Sequence, residues 1–228
     1  MLISNDFKII FFHIPKTAGS SMTKALLEAD KGFINDNKNL HIGNRHLKET
    51  FNKDFEDYFK FCFIRNPWER MVSGFFFFLT NVYLDQLNDM KLKDNLEDIR
   101  KRMKEVDITK QKDIFFEWLS ESNMYITKNS QISWAYNSNG KNDFNFVGNI
   151  SNIDFDWRRL CGIIDIKYEK LKVLNSTSHY HYSEYYNEKS YDWVDRYFKE
   201  DIDYFDYKFL NNKIKKYNIC IEQNKRIN

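Results

Sequence analysis

The apolar positions of this chain fall into a few runs whose order sets the expected architecture. Ile9-Ile10-Phe11-Phe12 is continuously apolar, the pattern of a strand covered on both faces of a parallel sheet, and it predicts a strand over Lys8–His13. Pro15 stops the ladder. Met22, Ala25, Leu26 and Ala29 then recur at helical spacing. They predict a helix over Ser21–Ala29, capped by Ser20 or Ser21, with Gly19 in a tight or left-handed turn before it and Gly32 at its C-terminal end. Asp30 to Asn44 is polar and reads as loop, and Leu47, Phe51 and Phe55, four apart, predict a short helix.

Tyr58–Ile64, YFKFCFI, is a second strand pattern, and it runs into an unusually legible helix start. Asn66 stands at the cap and Pro67 at the first helical position. The helix carries Phe75-Phe76-Phe77-Phe78, which read as core. Asn81–Ser122 is helical and highly charged, part of an expected helical insertion over about 81–142. Asp143–Gly148 alternates as a strand does, and Asp154–Ile164 follows as a helix with Phe155, Leu160, Ile163 and Ile164 as its apolar residues. After a polar-aromatic loop over Asn175–Tyr186, Ser190–Phe198 reads as a further helix. Alternating strand and helix predicts an α/β fold: a P-loop-like three-layer arrangement, its central mostly parallel sheet flanked by helices, in a single domain over 1–228. Ligands of such sheets bind beyond the C-terminal strand ends, where the turns after the first two strands lie.

Composition narrows the partners. Hydrophobic residues make up 42% and aromatics 18%, enough for a core rich in Phe, Tyr and Ile. With 35 basic against 33 acidic residues, a nucleic-acid-coating surface is not indicated, so any anion site has to be local. Cys62, Cys161 and Cys220 are far apart and form no CxxC. That spacing argues for reduced thiols and against a zinc site or disulfide frame. No cleavable leader and no apolar window long enough to span a bilayer is visible, so the expectation is a cytoplasmic protein without an integral membrane segment.

The chemistry concentrates in two turns. Pro15-Lys16-Thr17-Ala18-Gly19-Ser20-Ser21 crowds a lysine and small hydroxyl residues at a helix mouth, where exposed N–H groups and the helix dipole favour an anion. It is not a Walker A sequence, because the lysine precedes the glycine and the hydroxyls come last. No aspartate-ended strand presents a magnesium ligand of the kind an NTPase needs. In the second turn Arg65 leaves a strand where a helix begins, and Ser73 lies eight residues on and three from Arg70. A guanidinium and a hydroxyl can meet a second anionic group there. The alternative for Arg65 and Arg70 is surface ion pairing, with Glu69 as a candidate partner. Two anion-friendly turns suggest a ligand with two separated phosphates.

At this level FFHIPKTAGSS followed by FCFIRNPWERMVSGFFF resembles the paired signature of sulfotransferases that use 3′-phosphoadenosine-5′-phosphosulfate (PAPS). The nearest likeness is to the carbohydrate family that includes heparan sulfate 2-O-sulfotransferase and many bacterial members. Phe146-Val-Gly148 through Asp156-Trp-Arg-Arg-Leu-Cys161, Asn175-Ser-Thr-Ser-His179 with Tyr185-Tyr186, and Asp201 through Phe205-Asp-Tyr207 continue the likeness in order. One departure is Ser151, where the family often has a glutamate. The resemblance implies that Thr17, Ala18, Gly19, Ser20 and Ser21 cradle the 5′-phosphosulfate while Lys16 offsets charge on the leaving phosphate. It implies Arg65 and Ser73 at the 3′-phosphate, the bisphosphate PAP as product, no metal, and a carbohydrate hydroxyl of a surface glycan or its precursor as acceptor.

The acceptor hydroxyl needs a base, and histidine suits neutral pH. The resembling family places its histidine before the second strand, where His46 is the better match, with His41 and Glu49 as alternatives. His13, beside the first turn, reads as structural. His179 and His181 fall in the late loop as nucleotide or substrate contacts, and Asn175 and Ser176 as further donor-site candidates. A non-catalytic nucleotide- or glycan-binding module with the same fold, or a P-loop kinase requiring magnesium and ATP, are the competing readings.

Overall fold

The computed structural model describes residues 1–29, 31–35, 43–47, 55–86, 106–121, 129–136, 140–174 and 179–210. His41, Glu49, Asn175, Ser176, Cys220, most of the expected helix over 47–55 and the charged stretch 87–105 lie outside the described residues. The chain forms two compact units, Met1–Arg65 with Asn129–Ser176, and Asn66–Lys128 with Thr177–Asn228.

The first unit is built on a sheet of β1 (Leu2–Ser4), β2 (Ile9–Phe12), β3 (Ile34–Asn35), β4 (Phe59–Ile64) and β5 (Phe146–Asn149), in the order β3-β1-β2-β4-β5. β2, β4 and β5 run parallel, in register Phe11↔Phe61↔Phe146. β1 and β3 are short antiparallel additions at one edge. The parallel centre agrees with the expected fold class; the two edge strands were not expected. Leu2-Ile3 is too brief a run to stand out, and Ile34-Asn35 sits in a stretch polar enough to read as loop.

Helices α1 (Gly19–Glu28) and α4 (Ile153–Ile163) contribute the other wall of one core. Ile9, Phe11, Phe61, Phe63 and Phe146 point from the strands toward Met22 and Leu26 of α1 and Trp157, Leu160 and Cys161 of α4. The intervening residues Ile10, Phe12, Cys62 and Ile64 are buried as well, and Phe12 stacks on Phe144 with centroids 4.8 Å apart. Burial of both parities is why the runs are continuous rather than alternating. The inward row of α4 differs from expectation. Phe155 and Ile163 are 63% and 52% exposed, and the buried positions are Trp157, Leu160, Cys161 and Ile164. Those four follow the i, i+3, i+4, i+7 rule, which Phe155 and Ile163 do not share with them.

The ends of α1 also correct the sequence reading. The helix begins at Gly19, its cap is Ala18, and Ser20 and Ser21 lie inside the first turn. It ends at Glu28 with Ala29 as an extended C-cap, so the left-handed Gly32 (φ 59°) turns the chain beyond the helix rather than capping it.

In the second unit, α2 (Pro67–Gln86) starts as the sequence indicates: the Asn66 Oδ1 accepts from the Trp68 and Glu69 amides at 3.0 and 3.4 Å. Phe75 and Phe76 are core, Phe75 meeting Phe115 of α3 (Ile108–Glu121) edge-on at 5.3 Å, while Phe77 is exposed. The Tyr186 hydroxyl donates to the Trp68 carbonyl at 2.9 Å. α5 (Glu188–Tyr197) opens on a reciprocal Asn187–Ser190 capping box, and α6 (Lys199–Tyr204) follows it.

Gly148 of β5 sits across from Phe63, and a Cβ there would lie 2.3 Å from the Phe63 ring. Because that ring is fully buried, Gly148→Ala should destabilise the protein by about 1–3 kcal/mol through overpacking. A lowered urea midpoint would register this, and Phe63→Leu in the same chain should restore part of the loss. An unchanged midpoint would mean that the ring has room to turn aside.

Candidate functional site

The first turn is shaped by left-handed backbone at residues other than glycine. Lys16 and Ala18 have φ of 69° and 60°, a conformation that costs L-residues energy and persists only where the surroundings fix it. Two contacts do so. The buried Thr17 hydroxyl donates to the Ile14 carbonyl at 2.9 Å, bracing the loop from inside. Gly19 lies so close to His13 that a Cβ would fall 2.0 Å from its Cδ2. Gly19 is therefore required by close approach rather than by its φ, and His13 is the structural neighbour the sequence suggested.

Beyond this turn the Ala18 carbonyl accepts from the Ser21 and Met22 amides at 3.0 and 3.3 Å. The first amides of α1 have no partner within the helix itself, as at any helix start. Ser20 is exposed at this mouth. The Ser21 Oγ instead accepts from the Leu174 amide at 3.3 Å, tying the late segment of the unit to α1. Thr17 and Ser21 thus use their hydroxyls to hold the loop, while Ser20 is exposed.

Lys16 is half-buried here, and its amine is lowered from an ordinary 10.5 to about 8, first by burial and then by the positive charge of Arg65. The two basic residues singled out from separate motifs do come together: the Arg65 Nη1 donates to the Lys16 carbonyl at 3.3 Å. Arg65 follows the last residue of β4, and its main chain is held by Gln131, which sequence reasoning missed. The Arg65 amide donates to Gln131 Oε1 and Gln131 Nε2 donates back to the Arg65 carbonyl, both at 2.8 Å. As they lie 66 positions apart in the sequence, no local pattern could have signalled this pair.

Ser73 and Arg70 belong to the second unit. Ser73 is buried on α2. Arg70 is 0% exposed, with its guanidinium 5.8 Å from the centroid of the Phe198 ring. The alternative of surface ion pairing is therefore overturned for Arg70, which is a core residue. In the same unit His179 stacks on Phe76 at 5.1 Å, and His181 caps the turn Tyr182–Tyr185 by accepting from the Ser183 amide. Both imidazoles have local structural work.

His46 is exposed on a 3-10 turn, Asn44–His46, between two buried anchors. Leu47 enters the core on one side. On the other, the Asn44 Nδ2 donates to the Ala135 carbonyl at 3.2 Å and to the Asp143 carboxylate. Asp143 in turn pairs with the buried Lys60 ammonium at 2.8 Å. Ser151 is exposed, its amide donating to Asn149 Oδ1 at 2.9 Å. The buried carboxylate at this end of β5 is Asp156, which accepts from the Asn149 amide at 2.8 Å. Cys161 is buried, which pushes its thiol up to about 11 and makes it inert. Among the described residues no three His, Cys, Asp or Glu side chains converge as a metal site, and no helix is long and apolar enough to cross a membrane.

The arrangement can hold an anion at a helix mouth between a lysine and an arginine, with the main chain supplying further donors. Comparison with curated proteins and with solved structures gave no match. A family model described as the sulfotransferase family matches residues 1–208, which takes in both turns, the whole sheet and all the helices above. The chain belongs to the sulfotransferase family.

Proposed function

We propose that the protein transfers a sulfuryl group from PAPS to a carbohydrate hydroxyl, as the motif resemblance implies. The observation that carries this reading is the meeting of Lys16 and Arg65 at the mouth of α1. Two cations drawn together, one of them desolvated, call for a ligand with more than one negative charge. A 3′,5′-bisphosphate nucleotide carrying sulfate has that character. The amides at the start of α1 and Ser20 receive the 5′-phosphate, Lys16 the bridging oxygen on which charge develops, and Arg65 the second phosphate. Transfer of this kind relies on in-line positioning and electrostatic stabilisation rather than a covalent enzyme intermediate.

His46 is the base assigned to the acceptor hydroxyl, on the family resemblance and on its presentation between the Asn44 and Leu47 anchors. In the step, the acceptor oxygen attacks sulfur as His46 takes the hydroxyl proton. The bond from sulfur to the bridging oxygen breaks, and PAP leaves with the electron pair. The product is the sulfate ester. The acceptor is assigned to a surface glycan or its precursor, and the compartment to the cytoplasm.

PAP should raise the melting temperature more than ATP or ADP at equal concentration; equal shifts would remove the donor assignment. Lys16→Ala should lower labelled-sulfate transfer about 10²- to 10³-fold with PAP binding still measurable. His46→Ala should cost about 10²- to 10⁴-fold with donor binding intact, and full turnover in that variant would move the base elsewhere. The lowered amine of Lys16 gives two opposed pH effects. Lys16 is cationic below about 8, so kcat/KM for the donor should fall as pH rises through that value, and Lys16→Arg should move the fall upward. In the ligand-free protein, the unfolded chain binds the extra proton between about 8 and 10.5. The Lys16 contribution to stability therefore becomes more favourable as pH rises across that window. Thermal melts with and without PAP from pH 7 to 10 separate the two.

A further inference from the structure

Gln131 is a polar side chain placed deep in the first unit, 1% exposed. It stands at the start of the 3-10 turn Ile132–Trp134, whose Ile132 and Trp134 side chains are buried. The turn closes through the Trp134 amide onto the Gln131 carbonyl at 3.2 Å. Packing therefore fixes where the Gln131 carboxamide sits before any ligand is considered.

A carboxamide carries the same donor and acceptor as a peptide group. Arg65 lies one residue beyond the end of β4, where the ladder to β5 has reached Ile64↔Asn149 and stops. Where a ladder ends in this way, the next main-chain N–H and C=O need other partners. Gln131 supplies both, at 2.8 Å each, and so acts as one further rung of sheet made from a side chain. Arg65 is thereby held as if still in the strand, while its side chain reaches the Lys16 carbonyl at 3.3 Å. Without the clamp, the residue joining strand and helix would be free to rotate about its main-chain angles. The guanidinium would then lose the fixed direction that phosphate recognition needs.

We propose that Gln131 is a positioning residue for donor selection: by clamping the Arg65 main chain it aims the guanidinium at the 3′-phosphate of the nucleotide. This rests on the donor reading given above. Its signature is selective. A residue needed only for folding lowers affinity for every nucleotide alike, whereas loss of the clamp removes the advantage of a 3′-phosphate and spares the rest.

The test is calorimetric binding of PAP and of adenosine 5′-phosphate, which lacks the 3′-phosphate, to the wild type, Arg65→Ala, Gln131→Met, and the double variant. Gln131→Glu is a second, nearly isosteric change that keeps the acceptor for the Arg65 amide and removes the donor. In Gln131→Met the preference for PAP should fall by about tenfold or more, with adenosine 5′-phosphate affinity held within about twofold. Gln131→Glu should lie in between. The double variant should prefer PAP no less than Arg65→Ala does, because the two changes remove one interaction. An intact preference in both Gln131 variants, or equal loss for both nucleotides, overturns the positioning role while leaving the donor reading in place. An intact preference in Arg65→Ala overturns the donor reading and this inference with it.

Discussion

The close approach of the His13 ring to Gly19 is the constraint on which the turn between β2 and α1 depends. It lets the chain leave β2, pass through two left-handed residues and start α1 within a few positions, with the helix mouth beside the strand end. The Thr17 hydroxyl on the Ile14 carbonyl locks the loop from within. Strain at Lys16 and Ala18 is compatible with this only because the parallel core beneath is well packed. Phe11, Phe61, Phe63 and Phe146 anchor the strand ends that the loop must span. Local strain at the site is thus borne by the core, a common division of labour in folds whose loops carry function.

Electrostatics at this mouth run against the folded state. Lys16 is partly desolvated and faces a second cation, which is why its amine is lowered. An anion bound there, as proposed, would relieve both effects at once. On the proposed reading, the charges and amides would be in place before the donor binds, at a cost held in the folded state.

Much of this was legible from the sequence, for reasons that can be located. The central strands announce themselves because both faces are buried, and α2 because Asn66-Pro67 offers the cap and the first helical residue together. The lysine turn and the arginine turn were visible as motifs, and Lys16 and Arg65 do meet. What escaped notice depended on distant partners or on geometry that composition conceals. Glycine was the natural choice for a left-handed position, yet Lys16 and Ala18 take that role and Gly19 serves a steric one. Phe155 and Ile163 looked like core by their chemistry, but the phase of α4 turns them to solvent. Arg70 looked like surface by its charge and is buried. Gln131 had no sequence signal, since its significance lies wholly in a contact across the fold.

The ion pair of the buried Lys60 with the half-buried Asp143 bears on which changes the first unit can tolerate. Losing the Asp143 carboxylate alone leaves the buried Lys60 ammonium without this partner, a penalty of about 3–5 kcal/mol, whereas exchanging both for apolar residues can be nearly neutral. The two positions, 83 residues apart, are therefore coupled: a change at Asp143 costs least when Lys60 changes with it. Asn44 is tied to them in turn, because its amide donates to the same carboxylate.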